Sequence, residues 1–473
     1  MKGTVAVLIV LLGLSAVLPL AASAQGPFDA ITVGYLPSGP TYDPGNGYIY
    51  VVNCCQGNPG GDTVSVISGT NVVATIPNIE VSNTGLGLTL AGDDLYVPVG
   101  TGVVGISGEG IMANLTSLTC GGSGTLGYDN STGVLFYVCG NDGTLIQSKT
   151  ASIVQNDENF TQSCGENCNI PADLSNPVFD PSNGDMYISS AAYNQTDVTS
   201  EGPGTLVNVG AFPSTPGVDP STGDVYVPNQ GCEYGSSVSC SISVISGISV
   251  IGTIPMSAEP GTPVFDPANG YMYVPGACAN TPATCWMAVI DGTNLLMTIP
   301  DVFSAQCGGQ SQGICTPLVY DSSNGYMVIN DGNHVEWISG TSTLGLATPV
   351  PNGYSNAAYT PALDPQTNVL YESGTYDDVY AMSVPQLIAS NEANTTTQIS
   401  SAAQSTSSTP SVSASSTMSS TSSGGIPVFP YQGGLVGVLL VVVIASYLLI
   451  RRGAARRAQT TKGEPSARVR GYS

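Results

Sequence analysis

Tyr42-Asp43-Pro44-Gly45-Asn46-Gly47-Tyr48-Ile49-Tyr50-Val51 is the stretch that decides the fold. It comes back as Phe179-Asp180-Pro181-Ser182-Asn183-Gly184-Asp185-Met186-Tyr187, as Val218-Asp219-Pro220-Ser221-Thr222-Gly223-Asp224-Val225-Tyr226-Val227, and as Phe265-Asp266-Pro267-Ala268-Asn269-Gly270-Tyr271-Met272-Tyr273-Val274. Looser copies begin at Asp129, Asp321 and Leu363-Asp364, and a shortened one reads Ala91-Gly92-Asp93-Asp94-Leu95-Tyr96-Val97. Between Asp43 and Asp364 the mean spacing is about 46 residues, so the chain is a repeat protein.

Local chemistry says what the repeated stretch does. Asp accepts hydrogen bonds from backbone N–H groups one or two residues on, Pro presets φ, and Asn-Gly or Thr-Gly supplies a positive φ. Such a turn joins two antiparallel strands, and the alternation after it is that of a half-buried strand. A second block follows: Ser65-Val66-Ile67-Ser68-Gly69 running to Thr75-Ile76-Pro77, Ser243-Val244-Ile245-Ser246-Gly247 to Thr253-Ile254-Pro255, and Ala288-Val289-Ile290-Asp291-Gly292 to Thr298-Ile299-Pro300. Each reads strand, Gly-centred hairpin, strand. One unit is therefore four antiparallel strands, and the predicted fold is an all-β propeller. Because Asp43, Asp129, Asp180, Asp219, Asp266, Asp321 and Asp364 recur with the unit, they read as scaffold rather than catalysts.

The combined pattern of Asp-Pro-x-x-Gly turn, Tyr-Val strand, Val-x-Val-Ile-x-Gly hairpin and Thr-Ile-Pro strand resembles the YVTN-type β-propeller repeat. That resemblance covers about residues 28–386 and implies a cell-surface protein of the archaeal and bacterial, surface-layer-like kind. Two copies depart from it at three positions: Asn130 follows Asp129, Ser322 follows Asp321, and Val328 stands where Tyr is expected. Eight turns favour eight blades, with seven as the alternative if the unit at Asp93 is incomplete. The last unit supplies three strands, near Ala362, Leu370 and Val379, and the orphan segment from Asp29 to Leu36 is expected to complete it and close the ring.

The ends predict where the propeller sits. Residues 1–24 read as a secretory signal: Lys2, an apolar stretch from Val5 to Leu20, then Ala22-Ser23-Ala24 before Gln25. Residues 25–390 are the propeller ectodomain. Residues 391–430 are a disordered stalk, in which 20 of the 29 residues from Thr395 to Ser423 are Ser or Thr. Residues 431–450 include the 18-residue apolar run Gly433–Ile450, about 27 Å long as a helix and enough for one transmembrane span. The tail 451–473 carries Arg451, Arg452, Arg456 and Arg457, which places it in the cytoplasm and the propeller outside the cell. Sequons at Asn114, Asn130, Asn159, Asn194 and Asn394 fit an exported glycoprotein.

Twelve Cys in an exported β protein read as disulfides. Cys232 with Cys240, and Cys278 with Cys285, occupy the same place in neighbouring units. Cys164–Cys168 and Cys307–Cys315 read as clips between blades, and Cys120 and Cys139 as a pair across one blade. Cys54-Cys55 either forms a vicinal bridge or bonds elsewhere. No zinc set is expected, because the chain's single His, His334, gives these pairs no partners. Of nine Lys and Arg, Lys2 lies in the signal and seven in the tail. The exported part keeps Lys149 against 32 carboxylates, 33 in all less Glu464. Nothing is available to neutralise phosphates, so nucleic acid is excluded as a partner, and anionic lipid surfaces likewise. Two readings of this acidity stand: adaptation to an acidic habitat, where protonated carboxylates leave few charges to repel one another, and an ordinary acidic surface protein.

Catalytic patterns are sparse. A single His, in Asn330-Asp331-Gly332-Asn333-His334, and bonded cysteines leave no Ser-His-Asp or Cys-His arrangement. A carboxylate-based hydrolase or lyase would draw on Asp93-Asp94, Asp377-Asp378, Glu158 and Glu201. No cofactor is called for; Asp331-Gly332-Asn333 and the stretch Asp197 to Glu201 are calcium candidates that match no known loop spacing. Tyr193, Tyr234, Tyr354 and Tyr376 fall in predicted loops and are the candidate ligand-binding residues, for a glycan or a protein. The expected function is a non-enzymatic surface propeller for adhesion, recognition or envelope structure. The alternative is an anchored polysaccharide hydrolase or lyase.

Overall fold

The computed structural model describes residues 28–54, 60–79, 88–99, 102–115, 124–139, 142–147, 152–157, 174–200, 204–232, 239–279, 284–304, 318–330, 335–346, 360–374 and 376–385. The chain divides into two compact units, Met1–Thr406 and Ser407–Ser473. All the described residues belong to the first. The signal, stalk, span and tail lie outside them, as do Asn159 and Asn394.

The described part is all-β and propeller-like, with eight four-stranded antiparallel sheets. In chain order, sheets 1 to 7 span residues 41–77, 89–115, 125–157, 178–208, 217–255, 264–304 and 318–346, each a simple meander. Sheet 8 takes three strands from 362–383 and its fourth from the N-terminus: Phe28–Thr32 pairs antiparallel with Asp378–Ser383, Phe28 opposite Met382 and Thr32 opposite Asp378. The expected closing strand is therefore present but ends at Thr32 rather than Leu36. Beyond it Leu36 takes a φ of 45° ahead of Pro37, and the chain turns away. The shortened unit at Asp93 is a full sheet, its first two strands joined through Gly92-Asp93 with Gly92 at φ 70°.

Packing runs sheet to sheet. Each of the eight buried clusters joins two neighbours, and one joins the last sheet to the first through Ile31, Tyr371, Val379 and Ala381 against Ile49, Val51 and Ile67. No sheet buries an apolar face alone, which is why the repeats are stable only together.

The repeated residues hold these contacts in place. In seven turns the Asp Oδ1 accepts the N–H two residues on, at 2.7–2.9 Å, and its carbonyl accepts the N–H four residues on. The fourth residue has a positive φ in every case: Gly47, Gly133, Gly184, Gly223, Gly270, Gly325, and Asn368 where Gly is missing. The buried Tyr seven residues after the Asp reaches across to the next sheet. Tyr50 donates to the Gly108 carbonyl at 2.9 Å, Tyr187 to Gly247 at 3.1 Å, Tyr273 to Gly340 at 2.7 Å and Tyr371 to Gly69 at 3.0 Å. The acceptors are the hairpin glycines of the second repeated block, all near φ 56–58°. The two sequence signatures are thus the two halves of one inter-sheet bond. Where the turn offers Asn, as in Asn46, Asn183 and Asn269, its amide donates to that Tyr oxygen and fixes its direction.

Cys232 and Cys240 form the expected disulfide, with Cα atoms 5.0 Å apart. Cys54 is also disulfide-bonded. Cys278 and Cys285 lie on the adjoining second and third strands of sheet 6, and Cys139 ends the second strand of sheet 3. Cys55, Cys120, Cys164, Cys168, Cys307 and Cys315 lie outside the described residues.

Candidate functional site

Every sheet presents two ends. The turn between first and second strands lies at one end, here the turn end, together with the Gly hairpins of sheets 1, 2, 5, 6 and 7. The loops from second to third strand and the connections to the next sheet share the other, the loop end. Tyr193 sits at the loop end of sheet 4, in the turn between Asp185–Ser190 and Gln195–Thr199. Tyr376 sits at the loop end of sheet 8, 70% exposed. Tyr234 and Tyr354 lie outside the described residues.

The same station is built around each of these two tyrosines. At sheet 4, the Asn194 carbonyl accepts the Val209 N–H at 3.0 Å. At sheet 8, the Asp377 carbonyl accepts the Val33 N–H at 2.6 Å. Three residues further along each connection comes the same outlier. Phe212 (φ 52°) precedes Pro213, and Leu36 (φ 45°) precedes Pro37. Among the described residues six non-glycines have positive φ, and the other four are Asn or Asp, which tolerate it. A left-handed Leu or Phe costs about 1 kcal/mol or more. Hydrogen bonds hold both in that conformation: Phe212 N–H to Asn194 Oδ1 (2.9 Å) with Gln230 N–H to Phe212 O (3.0 Å), and Leu36 N–H to Tyr376 O (2.6 Å) with Cys54 N–H to Leu36 O (3.3 Å).

A buried amide lies beneath each outlier. Asn229 donates to Ser241 Oγ (3.1 Å) and Ser243 Oγ (3.0 Å), and Asn53 to Thr63 Oγ1 and Ser65 Oγ (both 2.9 Å). In both residues the Oδ1 has no hydrogen-bond partner. Gly210 and Gly34 press on these amides so closely that a Cβ would come within 2.5 and 2.6 Å of the Asn Cγ. Sequence reasoning picked out the two tyrosines but missed Leu36, Phe212, Asn53 and Asn229. The signal was there: Val33-Gly34-Tyr35-Leu36-Pro37-Ser38 aligns with Val209-Gly210-Ala211-Phe212-Pro213-Ser214, ahead of the Asp turn rather than in it.

The chemistry of the stations is aromatic, amide and acidic. No Lys or Arg occurs among the described residues. Burial and then Asp377 raise the Asp378 carboxyl, and burial with Asp378 and Asp377 raises the Tyr380 phenol. Asp197 needs a correction. It does not lie in a loop but in the strand Gln195–Thr199, 4% exposed, where burial outweighs the pull of the Val198 N–H on its carboxylate. Burial pushes its pKa up to about 6. Asp93-Asp94 and Asp377-Asp378 do not come together, since the first pair is at the turn end and the second at the loop end. Glu158, Glu201, His334 and Asp331-Gly332-Asn333 lie outside the described residues. Among the described residues no three His, Cys, Asp or Glu side chains are grouped to hold a metal ion. Of the sequons, Asn114 is exposed on the outermost strand of sheet 2 and Asn130 at the corner of a turn. Asn194 supports the Phe212 loop, and its Thr196 is buried against the Ser189 hydroxyl.

No protein-family model matches the chain, and no curated protein matches it. Among solved structures it is similar to the dihydro-heme d1 dehydrogenase NirN in complex with DHE, at a TM-score of 0.50 and 11% identity over 75% of this chain and 78% of that one. Hydrazine synthase of Kuenenia stuttgartiensis matches at a TM-score of 0.44 and 13% identity, over 60% of this chain and 90% of that one. A streptogramin B lyase matches at 0.42 and 10% identity, over 75% and 96%. At these identities the likeness to NirN shows the β-propeller fold alone.

Proposed function

We propose that this chain is an exported, membrane-anchored cell-surface protein, a closed eight-bladed propeller of YVTN type that recognises a ligand at its loop end and serves adhesion or recognition without chemistry. The observation that carries the reading is the double construction of one strained aromatic loop, Tyr193 with Phe212 and Tyr376 with Leu36, on a scaffold that spends its repeated Asp and Tyr groups on turn and inter-sheet bonds. Strain held by surrounding hydrogen bonds marks places where the fold gives up stability for another purpose. The signal at 1–24, stalk at 391–430 and span at 431–450 support display outside the cell.

The test is a glycan and polysaccharide array with purified protein at pH 3 and pH 7, scoring binding and product release together. Binding without release supports the reading; silence at both pH values sinks recognition in favour of an envelope role. The alternative is an anchored hydrolase or lyase, for which Asp197, 4% exposed in its strand and raised by burial to about 6, is the carboxyl to test. Product release that disappears in Asp197→Asn would establish that alternative.

A further inference from the structure

The two loop-end stations are equivalent in backbone, and they lie four sheets apart in either direction around eight, between sheets 8 and 1 and between sheets 4 and 5. We propose that each is a separate subsite for a neutral glycan, so that one chain holds two sugar segments at once. This rests on the recognition reading above and deepens it by naming ligand class and valency.

Three features coincide at both stations and jointly nowhere else among the described residues. The first is an apolar residue in the left-handed region before a proline, Leu36 or Phe212. The second is a tyrosine on the adjoining loop whose own backbone or next neighbour's side chain secures that residue. The third is a buried Asn with an unpartnered Oδ1 directly below the connection, Asn53 or Asn229. Apolar side chains raised on strained loops, as Phe212 is at 39% exposure, present a face without rotamer-rich cost on binding. Tyrosine adds a flat amphipathic ring with a hydroxyl at its edge.

The absent charges define the ligand further. With no Lys or Arg among the described residues, phosphate, sulfate and uronate groups find no counter-charge, and Asp377 and Asp378 repel them at one station. What remains is a ligand whose ring C–H faces stack on tyrosine and whose hydroxyls meet exposed backbone and side-chain groups, Asn194 at one station and Asp377 at the other. Neutral hexose polymers have that chemistry. A second copy of this acidic chain does not.

The experiment is calorimetric titration of the full chain in detergent with cellohexaose, laminarihexaose, mannohexaose and chitohexaose. At least one of these sugars is expected to bind with a stoichiometry of two per chain. Tyr376→Ala should lower that to one and leave the affinity of the remaining subsite within about twofold, because the sites are far apart. Tyr193→Ala should do the same at the other station. The double variant should not bind, while Tyr48→Ala at the turn end should keep two. Tyr193 is half-buried, so the unaltered protein is measured as well, and its stoichiometry alone is decisive. Binding at one site per chain, or binding that survives the double variant, overturns this inference and leaves recognition standing. No binding to any of the four sugars overturns the neutral-glycan assignment.

Discussion

The substitution Ala268→Ser should stabilise the protein at neutral pH, and the reason lies in how the seven Asp turns share donors. Every Asp Oδ1 is satisfied by a backbone N–H. The Oδ2 depends on its neighbours: Thr132 serves Asp129 (2.6 Å), Ser182 serves Asp180 (3.0 Å), Thr222 serves Asp219 (3.0 Å), Asn324 serves Asp321 (2.6 Å) and Thr367 serves Asp364 (2.6 Å). In sheets 1 and 6 the Asn of the turn is diverted to Tyr50 or Tyr273, and Gly45 or Ala268 stands where Ser182 stands in sheet 4. Asp43 Oδ2 and Asp266 Oδ2 are accordingly buried with no donor in hydrogen-bonding geometry, and burial raises both pKa values although the turn N–H groups, and at Asp266 the Asn269 amide, pull the other way. A hydroxyl at position 268 should repeat the sheet 4 arrangement, in which Asn183 serves Tyr187 while Ser182 serves the carboxylate. A hydrogen bond to a charged group contributes about 1.5–3 kcal/mol, and the exposure of position 268 to water brings the expectation to about 1 kcal/mol. The donor favours the charged carboxylate and so pulls down the folded pKa that burial has raised; the gain is full above that raised folded value and fades as pH falls through it. Gly45→Ser is the counter-case: a Cβ there would lie 2.3 Å from Oδ1 of the exposed Asp93, whose carboxylate must swing aside first, so the same hydroxyl should gain less. Denaturant midpoints at pH 7 and pH 3 measure all of this. An Ala268→Ser protein that is no more stable at pH 7, or that gains equally at pH 3, would refute the reasoning.

Three further expectations rest on contacts elsewhere in the sheets. Tyr371→Phe removes the 3.0 Å bond to the Gly69 carbonyl that ties the last sheet to the first. It should cost about 1 kcal/mol in denaturant unfolding, as should Tyr50→Phe and Tyr187→Phe; no loss in any of them would show that packing alone holds the sheets. Gly276→Ala would set a Cβ 2.1 Å from the buried Trp286 ring, so it should cost about 2–3 kcal/mol or prevent folding, read as a fall in soluble yield and thermal midpoint. Asp197→Asn should remove a pH term. The folded carboxyl titrates near 6 and the unfolded one near 3.8, so burial of the charge penalises the fold above pH 6 and that penalty is relieved as pH falls from about 6 to 4. The term is at most about 3 kcal/mol, and a stability profile between pH 4 and 7 that is unchanged in Asp197→Asn would sink it.

Sheet number, strand pattern and closure were legible because they are written in period, turn and alternation. Asp-Pro-x-x-Gly can only be a turn, and Tyr-Val alternation after it can only be a strand with one face toward each neighbour. The purpose of Tyr and Gly was not legible, because their bond joins Tyr371 to Gly69, 302 residues away, and pairs members of different repeats. The departures turn out to be correlated. Where Val328 replaces Tyr, Asn324 has no phenol to serve and turns to Asp321 instead. The candidate site was half legible. Exposed loop tyrosines can be guessed from turn composition, but a left-handed Leu or Phe leaves no mark beyond a following proline. A buried Asn with one idle oxygen looks like any strand-end residue. Only three-dimensional placement shows that these features coincide twice.

The repeated carboxylates also bear on the chain's acidity, because they do not respond to pH in one direction. Asp129 is the well-served case: although burial works to raise it, donors from Ser131 and Thr132 leave its pKa lowered, so its contribution is present at neutral pH and lost as pH falls through that lowered value. Asp43, Asp266 and Asp197 run the other way, each with a raised pKa and a buried oxygen that has no donor in hydrogen-bonding geometry, and each favours the fold more as it protonates. An ordinary acidic surface protein has no use for the second group, since a Ser at position 268 would relieve Asp266 at neutral pH. In an acidic medium those orphan oxygens carry protons and cost little, and a surface with almost no bases avoids the positive self-repulsion that unfolds most proteins there. Stability measured down to pH 2 discriminates between the two readings. Retention of the fold, with a maximum below pH 6, supports an acid-adapted exterior, and cooperative unfolding near pH 4 would leave the carboxylates as plain surface charge.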